Sequence, residues 1–259
     1  MISLKDQIGH LIELDRAPKR IVSLVPSQTE LLHDLGLGSS VVGITKFCIH
    51  PRNWKKSKSI IGGTKNVHHD KIASLKPDLI IANKEENTKE DVKKLQEYYP
   101  VYTSDIFTIP ESFVMMNDLG LIFNKQEEAS SLIKAIEHSF KTIRKSKNKT
   151  VAYLIWQNPI MLAGKRTFIQ SMLELGGFKN ILASTESRYP EVSLEQLKKL
   201  NPDYLLLSSE PFPFKPKHKS ELEKRTGIPS ILVDGEMFSW YGSRMLKFSN
   251  YLDNLTLRQ

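Results

Sequence analysis

Leu75-Lys-Pro-Asp-Leu-Ile-Ile-Ala-Asn-Lys-Glu85 and Leu200-Asn-Pro-Asp-Tyr-Leu-Leu-Leu-Ser-Ser-Glu210 share one pattern. Each opens with Leu-x-Pro-Asp, continues through a mostly apolar run and ends in a polar turn closed by Glu. The proline predicts an extended residue before it, and the short apolar run predicts a strand buried on both faces. Such strands belong to parallel sheets covered by helices. Each copy follows a short amphipathic helix, expected over 70–75 in the first and 193–200 in the second.

The flanking segments repeat as well. Arg20-Ile-Val-Ser-Leu-Val25 reads as a strand, Pro26-Ser-Gln-Thr29 as a loop, and Glu30 to Leu35 as a helix stopped by Gly36. In the second half, Thr150-Val-Ala-Tyr-Leu-Ile155 is the strand, and Phe168 to Leu175 is the helix before Gly176-Gly177. Glycine just past a helix is the ordinary C-terminal stop. A further helix and strand follow each Pro-Asp strand: 88–98 then 101–103, and 220–225 then 230–233. Each half therefore reads as alternating strands and helices, and internal repetition of this kind implies two α/β lobes with Rossmann-like parallel sheets. Residues 1–109 form the first lobe, beginning with a short hairpin arm, and 150–259 form the second. The span 110–149 carries apolar residues at helical spacing and predicts a long linking helix, with Gly120 and Asn124 as points of kinking or division.

Bulk properties narrow the function. The 259 residues are 40% apolar and 25% charged, ordinary globular usage that excludes disorder as the main state. The net charge of +8 is dispersed, with no aromatic-basic interleaving, which argues against nucleic acid as a partner. Cys48 is the single cysteine, so no intrachain disulfide supports the fold. No apolar run approaches membrane-spanning length. Met1 to Pro18 carries Lys5, Asp6, His10, Glu13, Asp15 and Arg16 and does not read as a signal peptide. Either the chain works in the cytoplasm or a signal has been removed. Catalytic signatures are missing: Gly36-Leu-Gly38 lacks a third glycine at nucleotide-binding spacing, and no Walker A, G-x-S-x-G or H-E-x-x-H motif occurs. The chain is expected not to be an enzyme.

In open α/β sheets, ligands bind beyond the carboxyl ends of the strands. In the first lobe those ends lead to Ser27 and Gln28, to Phe47, Cys48 and His50, and to Glu85 and Glu86. In the second they lead to Trp156 and Asn158, Arg188 and Tyr189, Glu210 and Phe212, and the run Glu236, Met237, Phe238, Trp240, Tyr241. Two such lobes facing one another would form a cleft lined by these residues. The aromatic content of the second set suits a broad or macrocyclic ligand. Arg188 and Arg244 suit ligand carboxylates or phosphate. Cys48, His50, His68, His69, Glu85 and Glu86 are the residue types of a zinc or cobalt site, but their spacing is that of no firm cluster.

The run Lys19-Arg-Ile-Val-Ser-Leu-Val-Pro-Ser-Gln-Thr-Glu30, the strand end Val42-Gly-Ile-Thr45, the Leu-Lys-Pro-Asp-Leu-Ile-Ile segment and the mid-chain helix resemble the helical-backbone, or class III, periplasmic substrate-binding proteins, which include BtuF-like vitamin B12-binding and siderophore- and haem-binding members. The resemblance covers nearly the whole chain. It implies a two-lobed monomeric carrier, periplasmic or otherwise extracytoplasmic, that delivers a non-covalently held metal chelate to the permease of an ABC importer. Cobalamin is the first ligand implied, with iron-siderophore or haem next. His50 falls where vitamin B12-binding relatives place an aromatic before a proline, and becomes a candidate axial contact to the ligand's metal. Gly62-Gly-Thr-Lys-Asn-Val67 falls where those relatives carry a tryptophan. Trp156 to Met161, Met237 and Phe238 fall where relatives line the second lobe. Relatives dock through one surface glutamate per lobe; the first-lobe position falls at Lys89, with Glu90 next to it, and the second-lobe candidates are Glu221 and Glu223. A cytoplasmic cofactor or metal carrier of the same fold is the alternative.

Overall fold

The computed structural model describes residues 1–145, 149–182 and 187–255. Residues 146–148 of the expected linking helix lie outside the described residues. The chain divides into two compact units: 1–106 with 110–136 and 241–244, and 107–109 with 137–240 and 245–259.

The first unit begins with an antiparallel hairpin, β1 (Ile2–Lys5) and β2 (Leu11–Leu14). Its sheet is built from β3 (Ile21–Ser23), followed by α1 (Pro26–Asp34); β4 (Val41–Ile44), followed by α2 (Trp54–Ser57); and β5 (Ser59–Ile60). A small hairpin, β6 (Gly62–Gly63) and β7 (Asn66–Val67), precedes α3 (His69–Leu75). The sheet is completed by β8 (Leu79–Asn83), α4 (Lys89–Gln96) and β9 (Val101–Ser104). Its order is β5-β4-β3-β8-β9 with every pairing parallel, the arrangement of a Rossmann half. All of β8 is buried, as its unbroken apolar run predicts.

Two helices, α5 (Ile109–Ile122) and α6 (Gln126–Lys141), occupy most of the span read as one linking helix. They part at Asn124, whose φ of 53° is left-handed and ends α5. Asparagine tolerates that conformation better than most residues.

In the second unit, β10 (Thr150–Trp156) pairs antiparallel with β11 (Ile160–Leu162), and α7 (Phe168–Leu175) follows. Next come β12 (Lys179–Asn180), β13 (Glu191–Val192), α8 (Leu194–Leu200), β14 (Tyr204–Ser208), α9 (Pro216–Thr226) and β15 (Ser230–Val233). Strands β12, β10, β14 and β15 pair in parallel, whereas β11 and β13 add an antiparallel flank that the repeat did not foretell. The reason is local: chain reversal at Asn158-Pro159 folds β11 straight back on β10, a hairpin with no helical crossover. The chain closes with α10 (Glu236–Ser239), a 3-10 turn (Ser243–Lys247) and α11 (Phe248–Asn254). One face of the sheet packs Leu154, Leu205, Leu207, Leu197 and Leu222; on the other, Tyr153 meets Phe238.

The Leu-x-Pro-Asp repeat has a structural cause. Lys76 and Asn201, each just before its proline, cap α3 and α8 at φ, ψ of 46°, 59° and 44°, 57°. The expected extended approach is thus replaced by a left-handed turn, which ends the helix without the right-handed geometry that proline excludes. The aspartates then hold the starts of β3 and β10. Asp78 accepts from the Lys19 and Arg20 amides, both at 2.8 Å, and Asp203 accepts from the Thr150 amide and hydroxyl, both at 2.7 Å. These bonds hold the Asp203 carboxyl below its ordinary pKa.

Candidate functional site

In the first unit, the expected loop 26–29 is instead the first turn of α1. Pro26 stands at the start of the helix, where its fixed φ fits and its missing amide is not needed. Ser27 and Gln28 are consequently buried helix residues. Gln28 Nε2 donates to Tyr241 Oη at 3.4 Å and to Ser104 Oγ. Asn83 closes β8 and organises the turn after it. Its Oδ1 accepts from the Glu85 and Glu86 amides at 2.9 and 3.0 Å, and its Nδ2 donates to Ser104 Oγ at 3.0 Å. Asn87 continues the network, accepting from the Asn83 amide and donating to Thr64 O, both at 2.9 Å. Burial, then the Glu85 charge, pushes the Glu86 carboxyl above its ordinary pKa, against the opposing pull of Lys65. Tyr241 is buried in this same unit, and burial followed by the Glu86 charge raises its phenol.

The loop after β4 presents Phe47, 50% exposed, while Cys48 is fully buried between the hydroxyls of Thr29 at 3.1 Å and Thr45 at 3.2 Å. Burial raises the Cys48 thiol. His50 is half-buried and precedes a cis peptide bond to Pro51. Among the described residues, no group of three or more His, Cys, Asp or Glu is placed to hold a metal ion. Cys48, His50, His68, Glu85 and Glu86 are therefore not brought together as a metal centre. Beyond β5 lies a cavity of about 470 Å³, lined by Lys46, Phe47, Ile60, Gly62, Gly63, Thr64, Lys65, Asn66, His68 and Lys71. The sequence reading placed Phe47 near a ligand but passed over these lysines, which are separated in the chain. Glu90 is exposed in the first turn of α4.

In the second unit, Trp156 ends β10 with 40% of its surface exposed. Its Nε1 donates to Asn158 O at 3.1 Å, and its ring meets Phe212 edge-on at 5.6 Å. Phe212 in turn packs on Phe214 at 4.8 Å and on His218 at 5.2 Å. Arg188 lies over Phe107 at 4.6 Å and near Tyr189 at 5.6 Å, and its Nε donates to Arg166 O at 2.8 Å. Arg166, unmarked by any motif, also reaches the Phe107 ring at 6.0 Å. Glu210 Oε1 accepts from Trp240 Nε1 at 3.0 Å and from the Ser239 hydroxyl. Trp240 is thus a held, nearly buried residue, and Phe238 belongs to the core. Glu236 and Met237 are half-buried on α10. Arg244, an alternative anion partner, lies in the first unit, where its Nε donates to Glu30 Oε2 at 2.7 Å, both side chains being buried. Glu223 accepts from the Ser230 amide at 2.9 Å and so braces the start of β15.

Among the described residues, no helix is long and apolar enough to cross a membrane. Comparison with known proteins gives a consistent result. The family profile described as "Periplasmic binding protein" matches residues 21–230. The chain is 30% identical over 217 residues to an uncharacterized ABC transporter substrate-binding lipoprotein, YvrC, of Bacillus subtilis, covering 79% of this chain and 68% of that one. It is 22% identical over 236 residues to a vitamin B12-binding protein of Pectobacterium carotovorum, covering 88% and 85%. A solved structure from Staphylococcus epidermidis, named as a possible iron-binding, periplasmic solute-binding protein, superposes with a TM-score of 0.78 at 26% identity, covering 92% and 98%. Each of these is named as a binding protein, and the lipoprotein and periplasmic names give the cytoplasmic alternative no support. With the repeated α/β architecture, the strand-end loops and the profile match in agreement, the chain belongs to the periplasmic binding protein family.

Proposed function

We propose that the chain is the substrate-binding component of an ABC importer and captures a metal chelate with the strand-end loops of its units, cobalamin being the first ligand to test and iron-siderophore or haem the next. The observation that carries this reading is the exposed indole of Trp156, held at the carboxyl end of β10 by its bond to Asn158 O and backed by Phe212. A large aromatic surface at a strand end is ready to cover an apolar face of a macrocycle, and its rigid backing limits the ordering cost of binding. The names of the relatives support the ligand class but divide over its metal.

The test is calorimetric titration with cyanocobalamin, haem and a ferric siderophore, paired with visible absorption. At least one is expected to bind below about 10 μM, a free energy of roughly 7 kcal/mol. Trp156→Ala should weaken that binding by about tenfold or more, the range of a buried aromatic anchor. Failure of all three to bind would sink the proposal.

A further inference from the structure

The cavity beyond β5 is within the first unit, and at about 470 Å³ it falls in the size range of small-molecule sites. Three lysines from separate stretches of chain line it: Lys46 after β4, Lys65 in the β6–β7 turn and Lys71 on α3. His68 adds an imidazole, and among the described residues no carboxylate lines the cavity. The lysines are not consumed by ion pairs in the wall. Lys46 rests over the Phe47 ring at 5.1 Å, Lys71 reaches Ile60 O at 3.4 Å and Lys65 donates to Glu85 O, all neutral partners. Lys65 also acts on the charge of Glu86, whose ionisation burial opposes.

The floor preserves this space. A Cβ on Gly63 would stand 3.2 Å from Phe47 Cε2 and 3.5 Å from Lys46 Cε, two of the lining side chains. Gly62 has φ of +110°, and a Cβ there would come within 2.4 Å of Asn66 O, so a side chain is excluded by backbone. A glycine floor under converging cations leaves room for a ligand group and supplies charge to hold it.

We infer that this cavity receives an anionic group of the transported ligand, a carboxylate or a phosphate. The inference rests on the binding-protein reading above and narrows it to ligands that carry such a group. Lysine offers a compact charge with rotatable donors, which suits either anion without the planar pairing that arginine imposes. The ammoniums are exposed and salt-screened singly, so the effect depends on their convergence.

The first probe is the free anion. An amide-resolved NMR titration of the full chain with citrate, and separately with inorganic phosphate, should give saturable shifts at Gly62, Gly63, Thr64 and Lys65. In the triple variant Lys46→Gln, Lys65→Gln, Lys71→Gln, affinity should fall at least about tenfold, roughly 1.4 kcal/mol. Shifts with citrate alone identify a carboxylate site, and with phosphate alone a phosphate site. No saturable shift with either, or shifts unaltered in the variant, would overturn the inference. The second probe separates it from the parent reading: haem against haem dimethyl ester, and ferric citrate against neutral ferrichrome. Preference for the charged member, lost in the triple variant but kept in Lys93→Gln, supports the anionic ligand class. Equal binding of both members, unchanged by the triple variant, overturns that class while the binding protein stands. Citrate in the cavity with no chelate bound leaves the cavity standing and removes the importer reading.

Discussion

Glu86 shows how a strand-end turn can hold a carboxyl in a costly state. Its backbone is fixed by Asn83, the residue is half-buried, and its pKa is raised by burial first and by Glu85 second. A carboxyl whose folded pKa exceeds its unfolded value binds protons more tightly in the native state. Its stabilising effect is present below the ordinary value of 4.5 and is lost as pH rises through the folded pKa. Glu86→Gln is therefore expected to melt higher than the parent at pH 7 and to match it near pH 4. A melting temperature that is lower at pH 7 would contradict this account. The Glu30–Arg244 pair presents the opposite case, two buried charges that answer one another. Removing one leaves the other uncompensated, so Glu30→Ala should lower unfolding free energy by about 3–5 kcal/mol in urea titration. Cys48 should stay unmodified by a thiol reagent at pH 8 until the chain unfolds, because burial raises its pKa and removes access. Single residues were the level least readable in sequence. Ser27, Gln28, Cys48 and Phe238 occur in strand-end segments, yet these side chains are buried, and only packing tells a segment's exposed residues from its anchored ones.

The repeated helix end is the most informative element. Lys76 and Asn201 occupy the same left-handed cap, but asparagine adopts that conformation at lower cost than lysine. Lys76→Asn should accordingly stabilise the chain by about 0.5–1 kcal/mol, seen as a higher urea midpoint with an unchanged slope. No change in midpoint would mean that the cap carries no strain. Asp78→Ala should destabilise by about 0.5–1.5 kcal/mol, since the exposed Lys19 and Arg20 amides lose their shared acceptor and turn to water. Strands and helices of this kind were legible because their signals are local, apolar runs and glycine past a helix end, although Pro26 opens α1 where a loop was expected. The antiparallel flank formed by β11 and β13 was not, because a three-residue and a two-residue strand carry too little pattern to be separated from a loop.

For the molecule as a whole, the duplicated α/β plan gathers aromatic residues at strand ends in one unit and lines a cavity of the other with lysines. Trp156→Ala and the triple lysine variant should therefore act on different ligand features. Loss of the indole should weaken charged and neutral chelates alike, whereas loss of the lysines should weaken the charged ones; competition titrations with matched ligand pairs read the difference. Trp240→Ala is the contrasting control. Its indole is held by Glu210 and nearly buried, so its removal should lower stability as well as affinity. The sequence alone determined the repeat, the strand-helix alternation and the family resemblance, since these rest on hydrophobic period and on residues that only certain backbone turns accept. It also located the strand-end segments, because parallel sheets expose their ligand-facing loops at one edge. Tertiary folding determined which of those residues remain available. Lys46, Lys65 and Lys71 converge across three segments and two glycines, a juxtaposition set by chain path and close packing that no local pattern encodes.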